Sequence, residues 1–269
     1  MFIGKAKLLV LVAGLSLIAL IATACTSPHK DPPVQLRSTA PAALVIATGQ
    51  PHADLLAITA LVTGAVCPRE HLEIVVPNFN AGSALYVSRA PATSVMPGPV
   101  PPKKSGPGPT QYQRKIYTRA LGQYDAKLRA DRHQLEQEFS AHFRAWAATV
   151  ITAVAGAPAT STGPRLAAAL SDGSAYFASL NQSGVHLGQH KVTVIFTTGT
   201  IPGRVPLLRT GSVHGGTVII VNFKAGQIRR AAWRYALLRA GATSVHILAP
   251  AAIGELPGIV RQALGGCNY

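Results

Sequence analysis

The chain has 269 residues, of which 48% are hydrophobic and only 13% are charged. This composition is typical of a globular protein with a sizeable core and excludes an intrinsically disordered chain. The formal net charge of +15 favours acidic neighbours such as anionic lipid headgroups, wall polyanions or acidic proteins. An equally open interpretation is that a basic protein sits well on any anionic surface.

The amino terminus predicts a membrane anchor. Lys5 and Lys7 precede an apolar run, Leu8 to Ile21, and the small residues that follow end at Cys25. This pattern is similar to a bacterial lipoprotein signal, which is cleaved before a cysteine that then receives fatty-acyl (palmitate-type) lipid. A transmembrane anchor or an ordinary secretory signal is the alternative, but about 20 apolar residues are needed to span a bilayer. We expect a signal peptide over 1–24 and a lipid-anchored, extracytoplasmic protein.

The next segments predict a tether and the first half of a sheet. Residues 25–41 are proline-rich and read as a tether, and residues 43–47 form a short apolar strand. Residues 53–66 predict a helix, whose expected buried side is Leu55, Leu56, Ile58, Leu61 and Val62. Residues 72–76 and 83–87 are two further strands, joined by a turn rich in Asn and Gly.

A large insertion follows at about 91–156. Residues 91–109 contain seven prolines and predict an extended linker. Residues 111–154 have apolar residues at helical spacing and predict a helix of about 60 Å at 1.5 Å per residue. Such a helix either bends, with Gly122 as a plausible bend, or projects at one end.

The second half alternates helices and strands. A helix is predicted from 164 to 180, followed by continuously apolar strands at 192–197, 218–223 and 245–249. Such strands are expected where both faces of a sheet are covered. Helices are predicted at 227–240 and 256–264.

This order of elements resembles the von Willebrand factor A (vWA) family. The resemblance rests on Leu44–Gly49 for the first strand, Leu72–Val87 for the hairpin, Thr162–Leu170 for a helix start and Val192–Gly199 for a strand end. It implies an α/β fold over 42–269, with a doubly wound three-layer αβα sheet that is mostly parallel with one antiparallel edge strand. The sheet is thus vWA/Rossmann-like.

The resemblance also implies where a metal would sit, and this chain departs from it there. The family holds a metal at the carboxyl ends of strands by Asp-x-Ser-x-Ser, a Thr and an Asp. Those positions are Ala47, Gly49, Pro51, Pro164 and Thr198 in this chain, and only the Thr198 hydroxyl is even a weak ligand for a hard cation. We expect no metal and no other cofactor.

Two cysteines remain after Cys25 is assigned to lipidation. Cys67 and Cys267 are an even pair in an oxidising compartment, which favours a disulfide over two free thiols. In a doubly wound sheet, both residues follow helices that return to the amino-end edge. The resemblance implies that these two helices are neighbours.

The expected carboxyl ends of the strands carry neutral and basic side chains. Open α/β sheets bind ligands at this edge, which makes the following set a candidate binding rim: Thr48, Gln50, Asn78, Asn80, Thr197, Thr198, Asn222 and Lys224. The alternative is that such residues simply cap strand ends. Asp54 lies nearby, but we interpret it as a first-turn helix residue that the dipole favours.

The sequence gives no sign of catalysis. No carboxylate occurs between Gly173 and Gly254, so a paired-carboxylate hydrolase site would need both acids from elsewhere. The Gly-x-Ser-x-Gly nucleophile elbow of hydrolases does not occur in the sequence, and neither does a Walker or dinucleotide-binding glycine motif. We therefore expect a protein that is not an enzyme and has no catalytic residues.

A basic surface is the other candidate. The helix at 227–240 carries Arg229, Arg230, Arg234 and Arg239 beside Trp233 and Tyr235. This pattern predicts a surface that binds a polyanion or a membrane; the alternative is a solvated helix face without a ligand. The extracytoplasmic location argues against nucleic acid. The leading hypothesis is a lipoprotein that binds an envelope protein through the rim and the long helix; the alternative is binding of a wall or lipid polyanion by the arginine-rich half.

Overall fold

The computed structural model describes residues 33–36, 40–64, 67, 71–78, 83–104, 106–156, 166–197, 213, 215–222 and 226–266. The predicted signal peptide, Cys25, Asn80, Thr198, Lys224 and Cys267 lie outside these residues, as does most of the predicted tether. The chain divides into two compact units, one of Met1–Val34 with Pro97–Arg129 and one of Gln35–Met96 with Ala130–Tyr269.

Fourteen elements follow one another along the described chain. The strands are β1 (Val34–Gln35), β2 (Ala42–Thr48), β3 (Leu72–Asn78), β4 (Ser83–Arg89), β5 (Val95–Met96), β6 (Lys191–Phe196), β7 (Thr217–Val221) and β8 (Ser244–Ile247). The α-helices are α1 (Pro51–Gly64), α2 (Gln111–Ala155), α3 (Leu166–Gln182), α4 (Gln227–Arg239) and α5 (Leu256–Ala263), and a 3-10 turn at Pro250–Glu255 precedes α5.

The second unit is built on a six-stranded sheet of order β4-β3-β2-β6-β7-β8. Only β4 runs antiparallel to its neighbour β3; the other pairs are parallel. The predicted α/β class, the mostly parallel sheet and its antiparallel edge strand are therefore confirmed. The short strands β1 and β5, which sequence reasoning did not predict, form a separate two-stranded sheet.

Helices cover both faces of the sheet because its central strands are apolar on both sides. Alternate residues of β2 enter opposite cores: Leu44 and Ile46 pack with α1, α2 and α5, whereas Val45 packs with Phe177 and Leu180 of α3. Trp233 and Leu237 of α4 cover β7 and β8 on the same side as α3. Gly173 lets α3 approach closely, since an added Cβ would lie 3.3 Å from Thr193 Oγ1.

One residue of the predicted buried side of α1 was wrong. Leu56, which was expected on the buried side of the first helix, is 87% exposed. Ile58, Leu61 and Val62 are fully buried; these three positions already fill the face that meets the sheet, and Leu56 points away from it.

The carboxyl-terminal part of α2 is packed against the sheet. Phe143, Ala147, Val150 and Val154 recur at steps of three and four and are buried in the same core as α1 and α5. Trp146 Nε1 donates a 2.7 Å hydrogen bond to Ser88 Oγ on the edge strand β4. The helix continues through Gly122 without interruption. Its residues 111–129 belong to the other unit.

We predict that Val150→Ala lowers the free energy of unfolding by about 2 kcal/mol, because it removes two methyl groups from a fully buried site and leaves a cavity. Thr149→Ala on the exposed side of the same turn is the matched control and should change it by less than about 0.5 kcal/mol. Chemical denaturation followed by circular dichroism measures both. Equal effects would contradict the packing of this helix on the sheet.

Candidate functional site

The carboxyl ends of β2, β6 and β7 lie side by side on one edge of the sheet. From β2 the chain moves to β3 on one side, whereas β6, β7 and β8 extend the sheet on the other. The strand order therefore reverses between β2 and β6, and ligands of open α/β sheets bind outside the carboxyl ends at such a point. We call Thr48, Gln50, Asp54, Thr197 and Asn222 at this edge the rim.

Asp54 is the centre of the rim. Thr48 Oγ1 donates a 2.7 Å hydrogen bond to Asp54 Oδ2. The backbone amide of Gln50 donates a hydrogen bond to Thr48 Oγ1 at 3.1 Å. Asp54 also donates its own backbone amide to Gln50 O at 3.1 Å. Thr48 and Asp54 are 8% and 9% exposed, whereas Gln50 is exposed. The turn between β2 and α1 is thus held by its own side chains, with one polar side chain facing solvent.

Asn222 brings the end of β7 to the same carboxylate. Its Nδ2 donates to Asp54 Oδ1 at 3.5 Å, so each oxygen of Asp54 has a donor. Among the residues described, Asn222 alone has a positive φ (64°) without being glycine. Asparagine tolerates this left-handed conformation better than most residues. A strained backbone is retained where the surroundings hold it, and here the conformation accompanies the contact with Asp54.

Thr197 joins β6 to β7. Its amide and its Oγ1 both donate to Val221 O, at 3.0 and 2.9 Å. The carbonyl that precedes Asn222 is therefore fixed by the neighbouring strand end. Hydrogen bonds thus connect β6 with β7, β7 with α1, and β2 with α1, and the rim is one preorganised polar surface.

Burial raises the pKa of the Asp54 carboxyl above its ordinary value, and the hydrogen bond from Thr48 partly opposes this. The negative charge of Asp54 is thus costly where it lies, although two donors face it. Raised carboxyl pKa values are frequent at functional sites. The groups that donate hydrogen bonds to the Asp54 carboxylate are the Thr48 hydroxyl and the Asn222 side-chain amide. Neither is a base that would activate a nucleophile.

Five of the eight predicted rim residues lie in the described part of the chain. Thr48, Gln50, Thr197 and Asn222 are brought to one edge, as expected. Asn78 ends β3, which is parallel to β2 and so reaches the same edge, and the other predicted rim residues are outside the described ranges. Sequence reasoning did not include Asp54 in the rim. Its predicted position in the first turn of α1 is confirmed, but its carboxylate also accepts hydrogen bonds from residues at the ends of two strands. Its spacing of six residues from Thr48 was the available signal.

A second polar cluster lies at the opposite, amino-end edge. Glu73 accepts hydrogen bonds from His71 Nε2, at 2.8 Å, and from the Tyr176 hydroxyl. His71 is buried and Glu73 is half-buried. Burial raises the pKa of Tyr176, and Glu73 raises it further, so the phenol stays protonated and keeps donating. The cluster joins β3 to α3 and is satisfied internally.

The predicted basic surface is partly corrected. Arg229, Arg234 and Arg239 are exposed and Arg230 is half-buried, but Trp233 is 2% exposed and belongs to the core. The expected placement of Trp233 on the basic face is wrong because its spacing to Leu237 puts both on the sheet side. Burial lowers the pKa of His246, and nearby Arg234 lowers it further; His246 is therefore neutral near pH 7.

Cys67 is 2% exposed and disulfide-bonded. The helices that precede the two predicted partners are neighbours, as the resemblance implied: Arg261 Nε of α5 donates a 2.9 Å hydrogen bond to Gly64 O at the end of α1. An added Cβ on Gly64 would lie 3.1 Å from Pro257 Cβ. Pairing of Cys67 with Cys267 remains a prediction because Cys267 is outside the described residues.

No family model, no curated protein and no solved structure matches this chain. Within the described ranges, no three His, Cys, Asp or Glu residues are grouped so that they could hold a metal ion. The helices in those ranges include none with the length and apolarity to cross a membrane.

We predict that Asp54→Asn changes the pH dependence of stability. A raised carboxyl pKa means that the folded state holds the proton more tightly, so the contribution of Asp54 is present below the unfolded value of 3.8 and is lost as pH rises through the folded value. The wild-type free energy of unfolding, relative to Asp54→Asn, should therefore fall as pH rises above 3.8. Denaturation series at several pH values measure this difference.

Thr48→Val sharpens the same test. It removes the hydrogen bond that lowers the pKa of Asp54, so the loss should extend to higher pH than in the wild type. Parallel stability curves for wild type and Asp54→Asn would contradict the burial of this carboxylate.

We predict that the partner of Cys67 is Cys267. A non-reducing peptide map should recover the two cysteines in one linked peptide. Cys67→Ser should lower the free energy of unfolding by about 2–4 kcal/mol. Cys267→Ser should cost the same, and the double variant no more, because both remove one bond. A linkage between Cys67 and Cys25 would contradict the prediction.

Proposed function

We propose that this chain is a lipid-anchored extracytoplasmic protein whose vWA-like domain binds an envelope protein through the rim, without a metal ion and without catalysis. The observation that carries the proposal is the network in which Thr48 and Asn222 both bind the Asp54 carboxylate at the strand-order reversal. It makes the rim a hydrogen-bonded polar surface at the place where this type of sheet binds ligands.

The vWA-like assignment is supported by the order of the strands. Counted along the six-stranded sheet, the order is third, second, first, fourth, fifth and sixth, and the third strand alone is antiparallel. This is a doubly wound order with the hairpin that the resemblance implied. Coverage of both faces by helices agrees with the same architecture.

Binding without a metal is supported by the residues that occupy the first strand end. Ala47 is fully buried and packs in the core, and Gly49 offers no side chain. The carboxylate of the rim, Asp54, has a hydrogen-bond donor from within the rim on each of its oxygens. The rim can recognise the amides and carbonyls of a peptide by direct hydrogen bonds, since its exposed group, Gln50, both donates and accepts.

A protein partner is favoured by an exposed apolar residue near the start of α1, on the side of the helix opposite the buried Asp54. Leu56 is 87% exposed and lies two residues beyond Asp54 on α1. Protein interfaces combine a buried apolar contact with a surrounding polar rim, and a partner that covers the start of α1 would bury Leu56 and meet the exposed Gln50 that precedes the helix.

The extracytoplasmic anchor is supported by the disulfide at Cys67. Disulfides persist in oxidising compartments and are rare in the cytosol. A disulfide-bonded and buried Cys67 therefore agrees with the lipoprotein-like signal that ends at Cys25.

The test is to immobilise the full-length protein, capture components of an envelope extract at low and high salt, and then purify the retained protein. We predict that its affinity falls at least tenfold in Leu56→Asp, because burying an unpaired carboxylate in an interface is costly. Val100→Asp is the matched control, since Val100 is also an exposed apolar residue, at 78%, and should leave the affinity unchanged.

Two outcomes would overturn this function. The first is an equal loss of affinity in both variants, which would show that the loss does not depend on a contact at Leu56. The second is capture of wall or lipid polyanions alone with release by salt, since electrostatic contacts are screened; this would favour the arginine-rich half as the binding surface.

A further inference from the structure

Helix α4 carries an apolar stripe on its solvent side. Ile228 is 90% exposed, Tyr235 is 69% exposed and Leu238 is 43% exposed, and Ala231 and Ala232 between them are exposed as well. Steps of three, four and seven residues place these side chains on one face of a helix. The stripe therefore runs along the length of α4.

This stripe is additional to the face that packs on the sheet. Trp233 and Leu237 are 2% and 0% exposed and lie in the core with Val218 and Ile220. A surface helix normally has one apolar face and a polar one opposite. In α4 the core contact is already made, so the second apolar face is held outward.

Arginines border the exposed stripe on both sides. Arg229 lies on one flank, Arg234 on the other, and Arg239 closes the last turn; all three are exposed. The helix contains no acidic residue, and none occurs anywhere from Gly173 to Gly254. The solvent side of α4 is thus an apolar strip with a purely cationic border, which we call the α4 outer face.

We propose that the α4 outer face docks on the anionic headgroups of the membrane to which the chain is anchored. Ile228, Tyr235 and Leu238 would enter the boundary between headgroups and acyl chains, and the arginines would bind lipid phosphates. Helices that lie in the plane of a membrane have this arrangement, with apolar and aromatic residues on one side and cations beside them. Arginine binds phosphate by paired N–H donors, and its aliphatic stem covers apolar surface.

Charge and proximity together select a lipid surface as the occupant. Each cation near an anionic membrane adds favourable energy, and this face presents only cations. The proposed lipid on Cys25 is followed by the 17-residue segment 25–41, so the domain stays within about 60 Å of the bilayer even when that segment is fully extended. Docking of α4 would fix the orientation of the domain. The inference rests on the proposed lipid anchor, and it does not depend on a partner at the rim.

The experiment uses the full-length chain with Tyr235→Trp as a reporter, in vesicles whose lipids carry brominated acyl chains. Quenching in excess of the unsubstituted chain, which contains Trp146 and Trp233, reports contact between position 235 and the bilayer. We expect quenching in vesicles that contain phosphatidylglycerol, a decrease with added salt, and little quenching in phosphatidylcholine alone. The signal is read on the vesicle-bound fraction, and the mass of the amino-terminal peptide reports separately whether Cys25 carries lipid.

Charge-reversal variants in the reporter chain locate the contact. Arg229→Glu with Arg234→Glu should abolish the excess quenching, and Ile228→Asp should reduce it. Lys103→Glu with Lys104→Glu reverses the same number of exposed charges elsewhere and should leave it intact. Circular dichroism checks that each variant is folded.

An unquenched reporter in phosphatidylglycerol vesicles would overturn the proposal. So would equal quenching in phosphatidylcholine, or an equal loss in the lysine variant, which would assign the effect to net charge. Because the anchor is measured by mass, loss of the anchor is distinguished from failure of the α4 outer face.

Discussion

Burial of the central strands on both faces is the constraint on which the rest of this molecule depends. Every residue of β2 is buried, and its side chains alternate between two cores. A strand of this kind needs a helical layer above and below it, so the chain must return over the sheet between parallel strands. These returns place the carboxyl ends of β2, β6 and β7 together, and the rim exists because of that convergence.

The rim and the α4 outer face are different kinds of surface on the same unit. The rim is polar and internally hydrogen-bonded, with the Asp54 carboxylate held by Thr48 and Asn222. The outer face of α4 is apolar and cationic. A lipid-anchored protein that rests on its membrane through one helix would keep a strand-end edge available for a second molecule, which is a coherent arrangement for an envelope binding protein.

Several elements could be predicted because their signal is local. The strand at 43–47 is a short apolar run, and those at 192–197 and 218–223 are rich in β-branched residues; the structure places strands at Ala42–Thr48, Lys191–Phe196 and Thr217–Val221. The long helix was predicted from spacing alone. By contrast, periodicity wrongly predicts Leu56 in the core. The apolar residues of α1 outnumber the positions that one helix face can bury, so one of them is left exposed. Trp233 was assigned to the surface because its neighbours are arginines.

The sequence by itself determined the class of fold, the paucity of carboxylates and the cationic character of α4, since composition and periodicity depend only on neighbours along the chain. Tertiary structure decided which polar residues meet. Asp54 and Asn222 are 168 residues apart, and no local pattern relates them. Their contact arises because strand order brings the end of β7 beside the start of α1, and because Asn222 can adopt a left-handed backbone there. Long-range hydrogen bonds follow from topology, which periodicity does not encode.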